Sequence, residues 1–149
     1  MHTRQPGSPF SVIISPPHEV TKSDIEECAV FTACFSQTWK SGKKNAAVHV
    51  FDAAMLHKSG TMKAGTWGVN GTVAEIDAPL ELVLTVQQGI LRAVPEKSVK
   101  AKKNILRKLL PGKIDKSDIV PKLVIELEGA FSQAEILSAL PAGGLRVLK

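Results

Sequence analysis

The chain has 149 residues, 44% of them hydrophobic and 22% charged, which allows one hydrophobic core and excludes a disordered or collagen-like chain. The formal net charge of +5 favours anionic partners such as nucleic acid. No apolar run approaches the about 20 residues that span a membrane, and the first ten residues lack a signal peptide's apolar segment. We therefore expect a soluble, cytoplasmic protein that makes no membrane contact.

The N-terminal third predicts a strand followed by a long helix. An apolar run from Phe10 to Ile14, closed by two prolines, is typical of a strand. Residues 21–42 then place apolar side chains at helical spacing. Ser23 and Glu26 form a candidate capping box at the start of this helix, and Ser41–Gly42 is a candidate stop.

Strand-like stretches dominate the middle of the chain, in residues 45–52, 66–73, 80–89 and 90–95. In the third stretch, Leu82, Leu84 and Val86 alternate with Val83 and Thr85, so both sides of the strand carry side chains that can be buried. This predicts a strand buried on both faces near its middle. A second helix is predicted over residues 98–112. Its apolar stripe would consist of Val99, Ile105, Leu106, Leu109 and Leu110, and Pro111–Gly112 would end it.

The last part of the chain predicts a strand in residues 122–129, a helix over 132–140 and a final strand in 143–149. Ser132 and Glu135 form a capping box for the helix. Strands outnumber helices without regular alternation, so we expect an α+β fold: one domain, mainly antiparallel sheet, with two to three helices. Residues 1–119 would form the main domain, and residues 120–149 an extension packed on it.

Two catalytic interpretations fit the sequence poorly. Gly60 and Gly65 have the spacing of a Walker A loop, but Thr66 occupies the position of the essential lysine and no helix start follows. His49 and Asp52 lie three apart on a predicted strand and therefore point to opposite faces. No hydrolase or metalloprotease motif is present, so we expect no enzyme activity, no cofactor and no metal site.

An anion-binding interpretation fits the first group of basic residues better. Glycines let backbone N–H groups approach a phosphate closely, and lysines supply the charge. Trp67 offers a stacking face to an unpaired base. The alternative is a mobile turn with Trp67 in the core. The lysines concerned follow the first helix or flank Gly60: Lys40, Lys43, Lys44, Lys58 and Lys63.

A second basic cluster is denser, because nine of the 19 Lys and Arg residues lie between Arg92 and Lys116. On the predicted second helix, one side would carry four of them: Lys100, Lys103, Arg107 and Lys108. A solvated helix face is the ordinary explanation of such a pattern. It would bind RNA only if it continued the surface formed by the loop lysines.

Three short motifs in the first half stand in a recognisable order. Residues 1–8 read MHTRQPGS, with His2 followed by Pro-Gly-Ser, and the stretch FSQTWK contains Ser36. VHVF then leads into HKSGTMKAG, which holds Lys58, Lys63 and Gly65. This arrangement, from His2 to about Gly71, resembles the NFACT-R domain family. Its members are predicted RNA-binding domains of ribosome quality-control NFACT proteins and short stand-alone proteins.

The chain departs from the family pattern at several positions. Gln37 stands where the family has lysine, and Val50 stands where it has tyrosine. In the loop, His57 replaces a lysine and Thr61 replaces a glycine, while the two prolines of the motif are replaced by Ser59 and Ala64.

The resemblance implies a non-enzymatic RNA-binding module that contacts rRNA or tRNA in translation or ribosome quality control, with the ribosome as a further partner. The residues expected to contact nucleic acid are His2, Arg4, Lys40, Lys43, Lys44, His57, Lys58, Lys63 and Trp67. Lys100, Lys103, Arg107 and Lys108 are expected to form a secondary basic face. The alternatives are a small enzyme of unrecognised type acting on an anionic substrate, and a protein–protein interaction module.

Overall fold

A computed structural model describes residues 1–148, which form three α-helices and three antiparallel sheets. The predicted α+β fold is therefore confirmed. The helices are α1 (Lys22–Cys34), α2 (Lys116–Glu126) and α3 (Gln133–Ala139). The strands are β1 (His2–Thr3), β2 (Asn45–Val50), β3 (Leu56–His57), β4 (Gly68–Val69), β5 (Ala74–Pro79), β6 (Leu82–Gln87), β7 (Ile90–Val94), β8 (Ile105–Ile114) and β9 (Leu145–Leu148).

The first sheet has the order β1-β2-β5 and carries α1 on one face. Thr21 caps α1: its side chain accepts from the Asp24 amide, and the Asp24 carboxylate accepts from the Thr21 amide. The capping box thus lies two residues before the predicted one. The helix ends at Cys34, and a separate 3₁₀ helix, Gln37–Ser41, ends at Gly42 in the left-handed conformation that glycine tolerates.

The second sheet is the β3-β4 hairpin, and the third has the order β7-β6-β8-β9. The strands predicted in residues 45–52, 80–89 and 90–95 are confirmed, and β6 is buried on both faces from Leu82 to Thr85. The predicted strand 66–73 is reduced to Gly68–Val69. The final strand is confirmed as Leu145–Leu148, and Lys149 lies outside the described residues.

Three sequence-based predictions of secondary structure are wrong. Residues 98–112 do not form a helix, because Ile105–Ile114 pair with β6 and β9 as strand β8. Residues 122–129 do not form a strand, because Lys116–Glu126 form α2, which is capped by Asp115 and buries one apolar face. Phe10–Ile14 is assigned to no strand, although Ser11 and Met1 exchange two backbone hydrogen bonds.

One hydrophobic core contains residues from both parts of the chain. Trp39 and Val48 belong to the N-terminal part, and Leu123, Ile136 and Leu145 belong to the C-terminal part. The predicted boundary after residue 119 falls inside α2 and stays a prediction. Within residues 1–148, no helix is long and apolar enough to cross a membrane.

Candidate nucleic-acid interface

The Pro-Gly-Ser turn lies against the start of the 3₁₀ helix that contains Gln37. Gly7 adopts a φ of 77°, which turns the chain so that the largely buried Ser8 hydroxyl accepts a hydrogen bond from the Gln37 amide at 3.2 Å. Ser36 caps the same helix by accepting from the Thr38 amide at 3.1 Å. Two motifs that are separate in sequence therefore form one structural unit.

His2 and Arg4 lie beside β2 on the first sheet. The His2 ring stacks on Phe10 at a centroid distance of 4.5 Å, and its Nε2 donates to the Ser8 carbonyl oxygen at 3.0 Å. Arg4 Nε donates to His49 Nε2 at 2.9 Å, and the guanidinium pairs with Glu75 at 3.2 Å. Arg4 is exposed, but Glu75 offsets part of its charge.

The β3-β4 hairpin carries the loop of residues 58–67, which contains Lys58, Lys63 and Trp67. Lys58 Nζ donates to the carbonyl oxygens of Lys63, at 2.5 Å, and Thr66, at 2.8 Å. The Thr66 amide in turn donates to the Lys63 carbonyl at 3.1 Å, and Gly65 has a φ of 75°. The Lys58 amine therefore links two points of the loop backbone by hydrogen bonds.

The ring of His57 packs against the neighbouring strand of the hairpin. It packs so closely on Gly68, its partner across the two strands, that a Cβ at position 68 would collide with the imidazole. The ring is partly buried, and its Nδ1 has no hydrogen-bond partner among residues 1–148. His57 thus packs across the hairpin on Gly68 and remains partly exposed.

Two loop residues face outward. Lys63 is exposed and has no carboxylate within 4 Å among the residues described. Trp67 is 51% exposed, so the alternative that placed it in the core is wrong. The loop therefore presents one free amine and one aromatic face to the surroundings.

The other lysines of the first group are attached to the opposite end of β2. Lys40 lies in the 3₁₀ helix, and Lys43 and Lys44 directly precede β2, whereas the hairpin follows its far end. All three side chains are exposed. Six strand residues span about 20 Å, so the expected interface is divided into two groups.

Lys43 and Lys44 border a cavity of about 570 Å³ that the sequence did not predict. Its opposite wall is formed by the end of β8 and by β9, which add Lys113 and Arg146 to the lining. No local pattern pointed to Lys113 or Arg146, because only the pairing of distant strands brings them to the two lysines.

The secondary basic face does not exist in the predicted form. Arg107 and Lys108 are neighbours on β8 and point to opposite faces of the strand. Arg107 Nε pairs with Glu126 at 2.7 Å, and Lys108 pairs with Glu81. Lys100 and Lys103 are exposed, and Lys100 borders a groove of about 750 Å³ whose lining also includes five carboxylates: Glu26, Glu27, Asp77, Glu81 and Glu96.

Residues 1–71 match the family model described as NFACT protein RNA binding domain. The similarity to NFACT-R is thereby confirmed over that segment. No curated protein and no solved structure matches the chain. The NFACT-R segment contains the Pro-Gly-Ser turn, the Ser36 cap and the whole hairpin, while Lys113 and Arg146 lie outside it. Within residues 1–148, no three His, Cys, Asp or Glu side chains are grouped as metal ligands.

Proposed function

We propose that the chain is a non-enzymatic, cytoplasmic RNA-binding module that contacts rRNA or tRNA in translation or ribosome quality control. The observation that carries the proposal is the hairpin inside the NFACT-R segment, whose ordered loop presents Lys63 and Trp67 outward. The description of the matched family, which names RNA binding and no reaction, supports the non-enzymatic part.

The outward residues match the two chemistries of unpaired RNA. The Lys63 amine supplies a positive charge for a backbone phosphate, a contact that does not depend on sequence. The Trp67 ring supplies a face on which a base stacks, which contributes about 1 to 3 kcal/mol per base and tolerates every base. Bases are free to stack in loops, bulges and single strands, so we propose these parts of rRNA or tRNA as the target instead of a continuous duplex.

Titration of labelled RNA against the purified protein tests the proposal. Single-stranded RNA, tRNA, rRNA stem-loops and duplex DNA would be compared by fluorescence anisotropy between 50 and 200 mM salt. With about four phosphates contacted, log K should fall against log salt with a slope of about −3 for a single strand. Affinity independent of salt, or equal affinity for duplex DNA and stem-loops, would contradict the proposal.

A matched pair of variants separates stacking from charge. Trp67→Ala should weaken binding by about tenfold, while Trp67→Phe, which keeps an aromatic face, should retain most of it. Neither change should alter the salt slope, because neither removes a cation. Cosedimentation with ribosomes would then test the ribosomal part of the proposal.

A further inference from the structure

The cavity bordered by Lys43 and Lys44 is strongly basic. Four cations line it, and none has a carboxylate within 4 Å among residues 1–148: Lys43, Lys44, Lys113 and Arg146. The single carboxylate in the lining, Glu81, already pairs with Lys108. The cavity therefore has a large net positive charge and no partner within the described chain that neutralises it.

The strand pairing of β8 and β9 builds one wall of the cavity. The register shifts between Pro111 and Ile114, which both pair with Leu145, so the two intervening residues form a bulge. Gly112 allows this bulge, since a Cβ there would lie 2.5 Å from the Leu145 backbone. Lys113 lies in the bulge and Arg146 follows Leu145, and both line the cavity.

Part of the cavity lining consists of apolar core residues. Leu80 and Leu145 are fully buried core residues that also line it, and the Leu80 amide donates to the Lys44 carbonyl at 2.7 Å. The backbone that bears the cations is therefore anchored to the core. A concave site of a few hundred Å³ with apolar side chains and a few charged groups in its lining is the usual form of a small-ligand site.

We infer that this cavity is a phosphate-binding pocket for the RNA backbone, formed jointly by Lys43 and Lys44 of the NFACT-R segment and by Lys113 and Arg146 from outside it. The inference rests on the proposed function and assigns it a second contact region. A guanidinium donates two parallel hydrogen bonds to a phosphate, and the lysines add point charges around it.

The pocket lies at the start of β2 and the hairpin follows its end. In the inferred arrangement, one RNA contacts both regions, which then act as two linked binding sites. Linking two weak contacts raises the overall affinity without any further contact, provided that the RNA spans both. An RNA that reaches only one of the two regions should therefore bind more weakly than one that reaches both.

Two charge-matched double variants test the pocket in the full chain. The first variant, Lys113→Ala with Arg146→Ala, removes the two lining cations that lie outside the NFACT-R segment. Arg92→Ala with Lys122→Ala removes two exposed cations that do not line the cavity. The pocket pair should weaken binding to a single-stranded RNA by about tenfold and lower the salt slope by about 1.4, while the control pair changes affinity less than twofold. Thermal melts verify that both variants fold.

A second measurement uses inorganic pyrophosphate and the backbone amide resonances of the wild-type protein. The expected result is a shift of the amides at Lys43, Lys44, Lys113 and Arg146, with saturation. If the protein binds RNA but the pocket pair behaves like the control pair, the inference is overturned and the proposed function stands. If the protein binds no RNA while pyrophosphate shifts these amides, the proposed function fails and the phosphate pocket stands. If neither probe binds, both fail.

Discussion

The indole nitrogen of Trp39 donates a hydrogen bond of 3.0 Å to the carbonyl oxygen of Gly144, 105 residues further along the chain. Trp39 is 1% exposed and belongs to the NFACT-R segment, whereas Gly144 precedes the last strand. The side chain of Lys40 also lies against Gly143. The N-terminal and C-terminal parts of the chain are therefore joined by a partly buried polar contact as well as by apolar packing.

Trp39→Phe should destabilise the protein by about 2 to 3 kcal/mol. The change leaves a cavity in the core and removes the donor that satisfies the Gly144 carbonyl. Urea unfolding would be followed by circular dichroism and by fluorescence of the remaining tryptophan, Trp67. Both probes should show one common transition at a lower midpoint.

The control for this experiment is Trp67→Phe, which changes a half-exposed side chain and should alter stability by less than about 0.5 kcal/mol. Two separate unfolding transitions in the wild-type protein would show that the C-terminal part folds on its own. That result would refute the prediction that residues 120–149 are an extension of the same domain.

Lys58→Ala and Lys63→Ala should weaken RNA binding for different reasons. Lys63→Ala removes an exposed charge, so it should lower the salt slope by about 0.7 and leave the loop ordered. Lys58→Ala removes the amine that holds two loop carbonyls, so amide hydrogen exchange at Thr66 should become faster. Unchanged exchange in Lys58→Ala would mean that the amine does not order the loop.

Gly68→Ala should destabilise the hairpin by about 1 to 3 kcal/mol, because the added methyl group collides with the His57 ring. In a His57→Ala background the same change should cost much less, which a double-mutant cycle measures from thermal melts and hairpin hydrogen exchange. Gly60→Ala is the matched control, since nothing lies within 4 Å of its Cβ position. Additive effects of the two changes would contradict the contact.

Glu135 should make stability depend on pH in the acid range. Its carboxylate accepts from the Ser132 hydroxyl and amide, and these bonds hold its pKa below the ordinary 4.5. A lowered folded-state pKa stabilises the fold fully above 4.5, and this contribution is lost as pH falls through the folded value. The difference in urea midpoint between wild type and Glu135→Gln should therefore shrink as pH falls below 4.5.

The sequence predicted correctly those elements whose patterns are local. The predictions failed where pairing or packing with distant residues determines the secondary structure. The spacing of Ile105, Leu106, Leu109 and Leu110 fits one side of a helix, yet these residues form a strand. Shifts in register near Thr85 and Pro111 interrupt the alternation that would have revealed it. In α2, the apolar run around Leu123 is typical of a strand and the proline at 121 disfavours a helix, although the Asp115 cap and the buried face support a helix.

The candidate site divides in the same way. The motifs of the loop, the Pro-Gly-Ser turn and Ser36 were visible in the sequence because the residues of each motif are close together, and all three lie in the segment that the family model matches. These motifs could not show that the Lys58 amine donates to two loop carbonyls or that the His57 ring packs on Gly68, since these partners are backbone groups and a glycine with no sequence signature. Lys43 and Lys113 line the same cavity although they lie about 70 positions apart in the chain, and no local sequence pattern reports a contact over that separation.

The internal hydrogen bonds of Lys58 also bear on the thermodynamics of RNA binding. A loop that orders only when it meets its ligand loses conformational entropy at that moment, and the measured affinity is reduced accordingly. In the unbound protein the Lys58 amine already binds two carbonyls of the loop, so part of that entropy is lost during folding. Calorimetry should consequently show a smaller unfavourable entropy of RNA binding for wild type than for Lys58→Ala.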